Sequence, residues 1–178
     1  MSSSVSGREL VHRREATVEA SPELVFAELE RMGGAHGWPY ADVLWQLRGW
    51  IDRLVGGVGM RGHPDIRGGL TAGQTLDFWT VEAVDRPTRL RLRAEMRLPG
   101  AAWLEYDVEG GATSSRLTQT ARFVPRGIAG RLYWYGLLPV HVAIFRGMVR
   151  RLSGRATRAA AAARPAKDIG PLDSGQGW

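Results

Sequence analysis

Residues 127–152, GIAGRLYWYGLLPVHVAIFRGMVRRL, form the longest apolar-rich run in the chain and constrain its fold more than any other stretch. Leu137, His141, Ile144, Met148 and Leu152 recur at helical spacing, and Leu138, Val142, Phe145 and Val149 lie beside them. Residues three and four apart share a helix face, so the two rows merge into one wide apolar stripe, the pattern of a helix laid on a core. Arg146, Arg150 and Arg151 fall toward the other side and the C-terminal end, where cations suit the helix dipole. Pro139 lies inside the run and is expected to kink or interrupt the helix, freeing backbone carbonyls near His141. A helix of this kind needs a complementary apolar surface, and the preceding chain must supply it.

That surface reads as strands. Residues 10–20 are a first strand. Ser21-Pro22-Glu23 then has a good N-cap, a proline suited to the first helical position and an acid in the first turn. Leu24, Val25, Leu29 and Met32 carry the apolar face of this short helix, and Gly33-Gly34 ends it. Gly37-Trp38-Pro39-Tyr40 is a turn presenting two aromatics. A second helix is expected over 41–55, with Val43, Leu44, Leu47, Trp50, Ile51 and Leu54 on one face. Residues 59–69 are a glycine-rich loop, a candidate rim for a pocket.

Four further strands follow, over 75–84, 90–98, 102–109 and 115–124. In the second, Leu90, Leu92, Ala94, Met96 and Leu98 alternate with Arg91, Arg93, Glu95 and Arg97. In the third, Ala102, Leu104, Tyr106 and Val108 alternate with Trp103, Glu105, Asp107 and Glu109. In the fourth, Leu117, Gln119, Ala121 and Phe123 alternate with Arg116, Thr118, Thr120 and Arg122. Successive side chains of a strand point to opposite faces, so each segment has one apolar side. Arginines on one strand, carboxylates on the next and arginines on the third would pair across an antiparallel sheet. The charged side is therefore assigned to an outer, wet face and the apolar side to the core. The fold class expected is α+β: a curved antiparallel sheet wrapped around a long C-terminal helix, with two short helices after the first strand.

The 178 residues suit one domain, placed at 8–155. Residues 1–7 are a serine-rich disordered tail, and 156–178 an alanine-rich helix extension followed by a disordered tail. Without cysteine, disulfides, thiolate metal sites and cysteine nucleophiles are excluded. The net charge is +6, and its positive side chains, all arginine but Lys167, are spread along the chain among Asp and Glu, which favours a solvated surface over nucleic-acid binding. The N-terminus lacks the apolar core of a secretory signal. The nearly uncharged run 132–145 falls short of the ~20 residues that span a bilayer. A cytoplasmic protein with no integral membrane segment is expected. His12, His36, His63 and His141 have no metal-ligand spacing, so no metal and no cofactor is expected. No nucleophile elbow is present.

The element order, with the opening VEASPELVFAEL, resembles the SRPBCC superfamily, the helix-grip fold of START domains and birch-pollen-allergen-like proteins. A closer similarity is to an uncharacterised family, through GWPYADVLWQLRGWIDRLVGGVG (37–59), LDFWTVEAV (76–84), AEMRLPGAAWLEYDV (94–108), LTQTARFVPRGIAGRLYWY (117–135) and PVHVAIFRGM (139–148). The resemblance covers about residues 10–152. Domains of that family are often fused behind a short-chain-dehydrogenase-like Rossmann domain. No G-x-G-x-x-G follows the first strand here, so a stand-alone version is expected, with a Rossmann-type reductase as a partner that the resemblance implies. The superfamily also implies a deep apolar cavity between sheet and long helix. Its members bind lipids, sterols, polyketides or aromatic compounds, and some are polyketide cyclases or dehydratases.

Among individual residues His141 stands out. It lies on the apolar stripe of the long helix, where an imidazole can bind a ligand hydroxyl or carbonyl or act as general acid/base. The plainer reading, a buried histidine bonded to a strand backbone or to Tyr106 or Gln119, is preferred on the rule that buried polar groups find partners. Tyr106 and Gln119 place polar tips on the inner face, which fits a ligand pocket and a satisfied core equally. Trp38, Tyr40, Trp79 and Tyr135 belong to a heavy aromatic load that can clasp a flat ligand or simply pack. Glu95, Glu105 and Asp107 offer carboxylates for acid/base work, but their alternation puts them with arginines on the outer face. A bulge inverting one strand would turn Arg93, Glu95, Glu105 and Arg122 into a buried polar site. The expected function is binding of an apolar or aromatic small molecule, lined or gated by Trp38, Tyr40, Trp79, Tyr106, Gln119, Tyr135 and His141. The alternatives are a cyclase- or dehydratase-like enzyme using His141, and an interaction module for the reductase.

Overall fold

The computed structural model describes residues 9–32 and 69–164. In chain order these form β1 (Leu10–Val18), α1 (Pro22–Glu30), β2 (Thr75–Leu76), β3 (Trp79–Asp85), β4 (Arg89–Ala94), β5 (Gly100–Gly110), β6 (Ser115–Pro125) and α2 (Gly127–Ala163). The strands make one curved antiparallel sheet in the order β1-β6-β5-β4-β3-β2. Strands β2 to β6 are a meander, and β1 returns to pair with β6 along its whole length, Leu10 opposite Phe123 to Val18 opposite Ser115. The expected α+β helix-grip architecture is the one observed. Of its two short helices the first is α1. The second, over 41–55, lies outside the described residues, as do Trp38 and Tyr40.

Helix α1 begins where its sequence predicts, although the Ser21 side chain makes no capping hydrogen bond. Ser21 is the N-cap in extended conformation, Pro22 opens the first turn and Glu23 is the acid there. Val25, Phe26 and Leu29, with Met32 just beyond, are buried in the core. Glu30 at its end accepts hydrogen bonds from the Leu70 backbone N–H at 3.1 Å and from Arg86 Nε at 2.8 Å. Arg86 also donates to the Leu70 carbonyl at 2.6 Å. This clasp fixes the end of α1 to the β3–β4 turn and to the chain where it re-enters the sheet.

Two strands differ from expectation. The run 75–84 is not one strand. Asp77 adopts φ 56, a left-handed conformation that a short polar side chain tolerates, and the chain reverses so that Leu76 pairs with Trp79. β4 ends at Ala94, and its last pairing with β5 is Arg93 to Trp103. Residues 95–99 therefore leave the sheet early and arch over the start of β5.

The apolar sides of the strands face inward as read: Leu90, Leu92, Leu104, Tyr106, Val108, Leu117 and Phe123 are all essentially solvent-free. The outer face is not uniformly wet. Glu105, Thr118 and Thr120 on it are buried. Arg91 sits opposite Glu105 and Arg122 beside it, with guanidinium nitrogens 3.4 Å and 2.9 Å from its carboxylate. The Arg91 guanidinium also stands 5.6 Å over the Trp103 ring. Long arginine stems lie flat along the sheet and cover what is beneath them.

Helix α2 runs through Pro139 as one helix, so the expected interruption does not occur. Proline removes one N–H and leaves the carbonyl four residues back without its helical donor. That residue is Tyr135, 60% exposed, so solvent can satisfy the group. The buried side of α2 carries Trp134, Ile144, Phe145, Met148, Val149, Leu152 and Ala156 and packs on β1, β6 and α1. Its first turn is seated tightly. Arg126 N–H donates to the Pro99 carbonyl at 2.8 Å, and a Cβ on Gly130 would run into that carbonyl and the Pro125 ring.

Candidate functional site

Because α2 lies chiefly across β1 and β6, and because residues 95–99 arch away from β4, a gap remains between the helix and the start of β5. A cavity of about 60 Å³ occupies it. The sheet contributes Trp79, Ala102, Trp103, Leu104, Ala121, Arg122 and Phe123 to its lining. The arch contributes Met96 and Leu98, and α2 contributes Tyr133, Trp134, His141 and Phe145.

The wall is built from contiguous rings. Phe123 stacks on Trp134 at 5.6 Å and 5°, with Tyr133 tilted against it at 5.9 Å. Trp134 meets His141 edge-on at 6.1 Å and 62°. His141 stacks on Phe145 at 5.5 Å and 22°, and Phe145 stacks on His12 at 6.1 Å and 28°. Positions 134, 141 and 145 are seven and four residues apart, so α2 presents all three on one face. The imidazole of His141 is thus held among rings at the cavity wall.

His12 closes this row from β1 and was not read from the sequence as a site residue. Arg14 Nε donates to His12 Nε2 at 3.3 Å. Both lie on the inner side of β1, opposite Ala121 and Gln119. Burial holds the His12 pKa below its ordinary value, and the Arg14 charge adds to this. The interleaved charges of β1 hid its inner face, and only its pairing with β6 reveals it.

The structure brings Trp79 and His141 together at the cavity. Of the other named residues, Tyr106, Gln119 and Tyr135 do not line it, and Trp38 and Tyr40 lie outside the described residues. Tyr106 and Gln119 stand opposite each other on β5 and β6, fully buried, and the Gln119 amide donates to the Tyr106 hydroxyl at 2.9 Å. Burial pushes the Tyr106 phenol pKa up, and the Gln119 hydrogen bond offsets this only in part. Tyr135 points to solvent, because one residue along a helix turns the side chain by about 100° away from Trp134. The lining residues overlooked in the sequence were partly legible: Trp134 is eleven residues before Phe145 and falls on the predicted apolar stripe. Met96 and Leu98 lie on the apolar side of the strand read over 90–98, whereas Tyr133 carried no such signal.

Of the acidic candidates, Glu105 and Asp107 sit on the outer face and Glu95 just past the end of β4. Glu95 pairs with Arg93 at 2.8 Å, Asp107 lies 3.9 Å from Arg89, and Glu105 lies between Arg91 and Arg122. The ladder shows one register irregularity, between Val81 and Ala83 on β3, and it inverts none of these strands. Arg122 is held protonated above its ordinary range, first by its hydrogen bond to Glu105. Among the described residues no group of three His, Cys, Asp or Glu is placed to hold a metal.

A curved antiparallel sheet gripping a long C-terminal helix, with an aromatic-walled cavity between them, is the helix-grip fold. Solved structures share the arrangement. The Zhui aromatase/cyclase from Streptomyces sp. R1128 superposes with a TM-score of 0.53 at 19% identity, covering 88% of this chain and 99% of that one. A norcoclaurine synthase point mutant from Thalictrum flavum, in complex with a transition-state analogue, gives 0.50 at 14% identity, covering 88% and 99%. At such identities the likeness is one of fold. No curated protein matches the sequence. Residues 5–148 match the model of the family described as Protein of unknown function (DUF2867), and the chain belongs to that family.

Proposed function

We propose that this protein binds an apolar or aromatic small molecule, a lipid, polyketide or similar compound, in the cavity between β5, β6 and α2. The observation that carries the reading is the lining: aromatic and aliphatic side chains almost throughout, with the His141 imidazole as a polar group on the helix side. An apolar enclosure with few convergent polar groups is the usual composition of a ligand site. Trp79, Tyr133 and Trp134 would face the ligand, and His141 would hydrogen-bond a hydroxyl or carbonyl on it.

The volume sets a condition. A benzene-binding cavity measures on the order of 150 Å³ and ordinary ligand sites start near 300 Å³. At about 60 Å³ the cavity must open to admit a ring. Met96 and Tyr133, both half-buried, are the side chains placed to move, and methionine repacks at little cost.

The test is native mass spectrometry of freshly purified protein together with titration by the fluorophore 1-anilinonaphthalene-8-sulfonate. A retained small molecule, or saturable fluorescence that Ala121→Phe and Ala102→Leu abolish while both variants stay folded, is the expected result. Fluorescence unaffected by both substitutions would refute the site.

A second reading has its own observation. His141 lies in the cavity wall, where an imidazole would serve as a general acid/base, and the cavity would then host a cyclase- or dehydratase-like reaction on a polyketide. His141→Ala separates the two: turnover would vanish in an enzyme, while a binder would lose one hydrogen bond and up to about tenfold in affinity. The comparisons lend no support to a reductase partner.

A further inference from the structure

We infer that the N-terminal half of α2 docks this protein on an anionic lipid bilayer. The inference stands independently of the ligand-binding reading. It starts from side chains that the fold leaves out. Among the described residues the large hydrophobics most exposed are Ile128 at 76%, Leu132 at 69% and Tyr135 at 60%. The sheet grips the opposite side of this helix, and only 22% of its most apolar 18-residue window is buried. Core packing therefore does not explain why these three positions are apolar.

Their placement is regular. Ile128, Leu132, Tyr135 and Pro139 are followed on the same line by Arg146 and Arg150, at i, i+4, i+7, i+11, i+18 and i+22. On a helix turning about 100° per residue all six fall within about 60° of one another. One exposed stripe is thus apolar for its first three turns and cationic beyond. The charge is one-sided: residues 127–163 hold six arginines and no Asp or Glu.

A bilayer surface complements both halves of such a stripe. Apolar side chains enter the headgroup–acyl boundary while arginines meet lipid phosphates, and the helix lies tilted along the surface. A second copy of the chain fits less well. Antiparallel pairing would set the apolar half of one helix against the arginines of the other, and parallel pairing would set arginine against arginine. The position also has a use, since Tyr133 and Trp134, adjacent in sequence to Leu132 and Tyr135, line the cavity. On the ligand-binding reading, which the docking itself does not need, the docked edge would be the edge through which an apolar molecule passes between membrane and interior.

The test is flotation of the full chain with phosphatidylcholine vesicles, with and without phosphatidylserine. Binding to the phosphatidylserine vesicles alone, weakened by salt, is the expected result. The variant Ile128→Ser/Leu132→Ser/Tyr135→Ser and the variant Arg146→Glu/Arg150→Glu should each bind about tenfold or more weakly. All five substituted side chains are at the surface, so both variants should keep the wild-type circular dichroism and melting temperature. Absence of binding to anionic vesicles would overturn the inference. So would binding that the serine variant leaves unchanged, which would reflect net positive charge only. A dimer in size-exclusion chromatography, dissolved by the serine variant without any vesicle binding, would assign the stripe to self-association instead.

Discussion

Removing the Tyr106 hydroxyl tests whether the polar pair beneath the cavity is structural or belongs to the site. Tyr106 and Gln119 are 0% and 1% exposed, and their hydrogen bond is 2.9 Å long. Tyr106→Phe deletes the acceptor and leaves a buried amide N–H₂ without it. A net hydrogen bond contributes about 0.5–1.5 kcal/mol, and an orphaned buried donor costs about 1–3 kcal/mol, so a loss of about 1–3 kcal/mol is expected. Gln119→Met should cost less. It also orphans the hydroxyl, but it removes the buried Gln119 Oε1, which has no hydrogen-bond partner among the described residues. Replacing both partners with apolar groups of similar shape leaves nothing orphaned, so Tyr106→Phe/Gln119→Met should fall within about 1 kcal/mol of wild type. Urea unfolding of the four proteins measures this cycle directly. Neither residue lines the cavity, so fluorophore affinity should stay within about twofold across the set. An alkaline titration adds a check. The phenol pKa is raised above 10.0 in the folded state by burial, so its contribution is present below pH 10.0 and lost as pH rises beyond it. Tyr106→Phe should remove that loss. A neutral Tyr106→Phe, or one that abolishes fluorophore binding while stability holds, would refute the structural assignment.

Glu105→Gln should destabilise by about 1–3 kcal/mol in urea unfolding, less than the loss for a fully buried pair, because Arg91 and Arg122 keep about a third of their side-chain surface in water. A change below about 0.5 kcal/mol would show that the outer-face carboxylate is hydrated after all. For His12 the folded pKa is depressed, so the unfolded chain binds its proton more readily. Stability is then fully present above pH 6.5 and is lost as pH falls through 6.5 toward the folded value. The urea midpoint should drop between about pH 7.5 and about pH 5.5, and His12→Gln should flatten that slope. Equal midpoints at the two pH values in the wild type would contradict the burial of His12. Gly130→Ala should lower the melting temperature, since its Cβ meets the Pro99 backbone and the helix end must shift, costing about 1–3 kcal/mol. Gly136→Ala, with nothing within 4 Å of its Cβ, should instead raise stability by up to ~1 kcal/mol.

The sequence by itself determined what depends on periodicity and local chemistry. The inner faces of β4, β5 and β6 follow from alternation, since a strand must send successive side chains to opposite sides. Ser21-Pro22 starts α1 for reasons contained in three residues. The stripe Ile144, Phe145, Met148, Val149, Leu152 is buried as read. These are the features from which the helix-grip fold was legible.

The tertiary structure decided what depends on the partner a neighbouring element supplies. Glu105 looked like a wet carboxylate on its own strand and is buried only because β4 and β6 set arginines over it. Tyr106 and Gln119 satisfied pocket and core readings alike until their register placed them face to face. The reversal at Asp77 lies in a run without glycine or proline, so local propensity did not mark it. Three consecutive aromatics, Tyr133, Trp134 and Tyr135, have similar propensities. Contact with Phe123 turns the first two inward, and the third is left on the surface. Period and propensity belong to a segment, whereas burial of a polar atom or a ring belongs to the pair of segments that enclose it. That is why the cavity, and the exposed stripe on the opposite side of the same helix, became visible only in three dimensions.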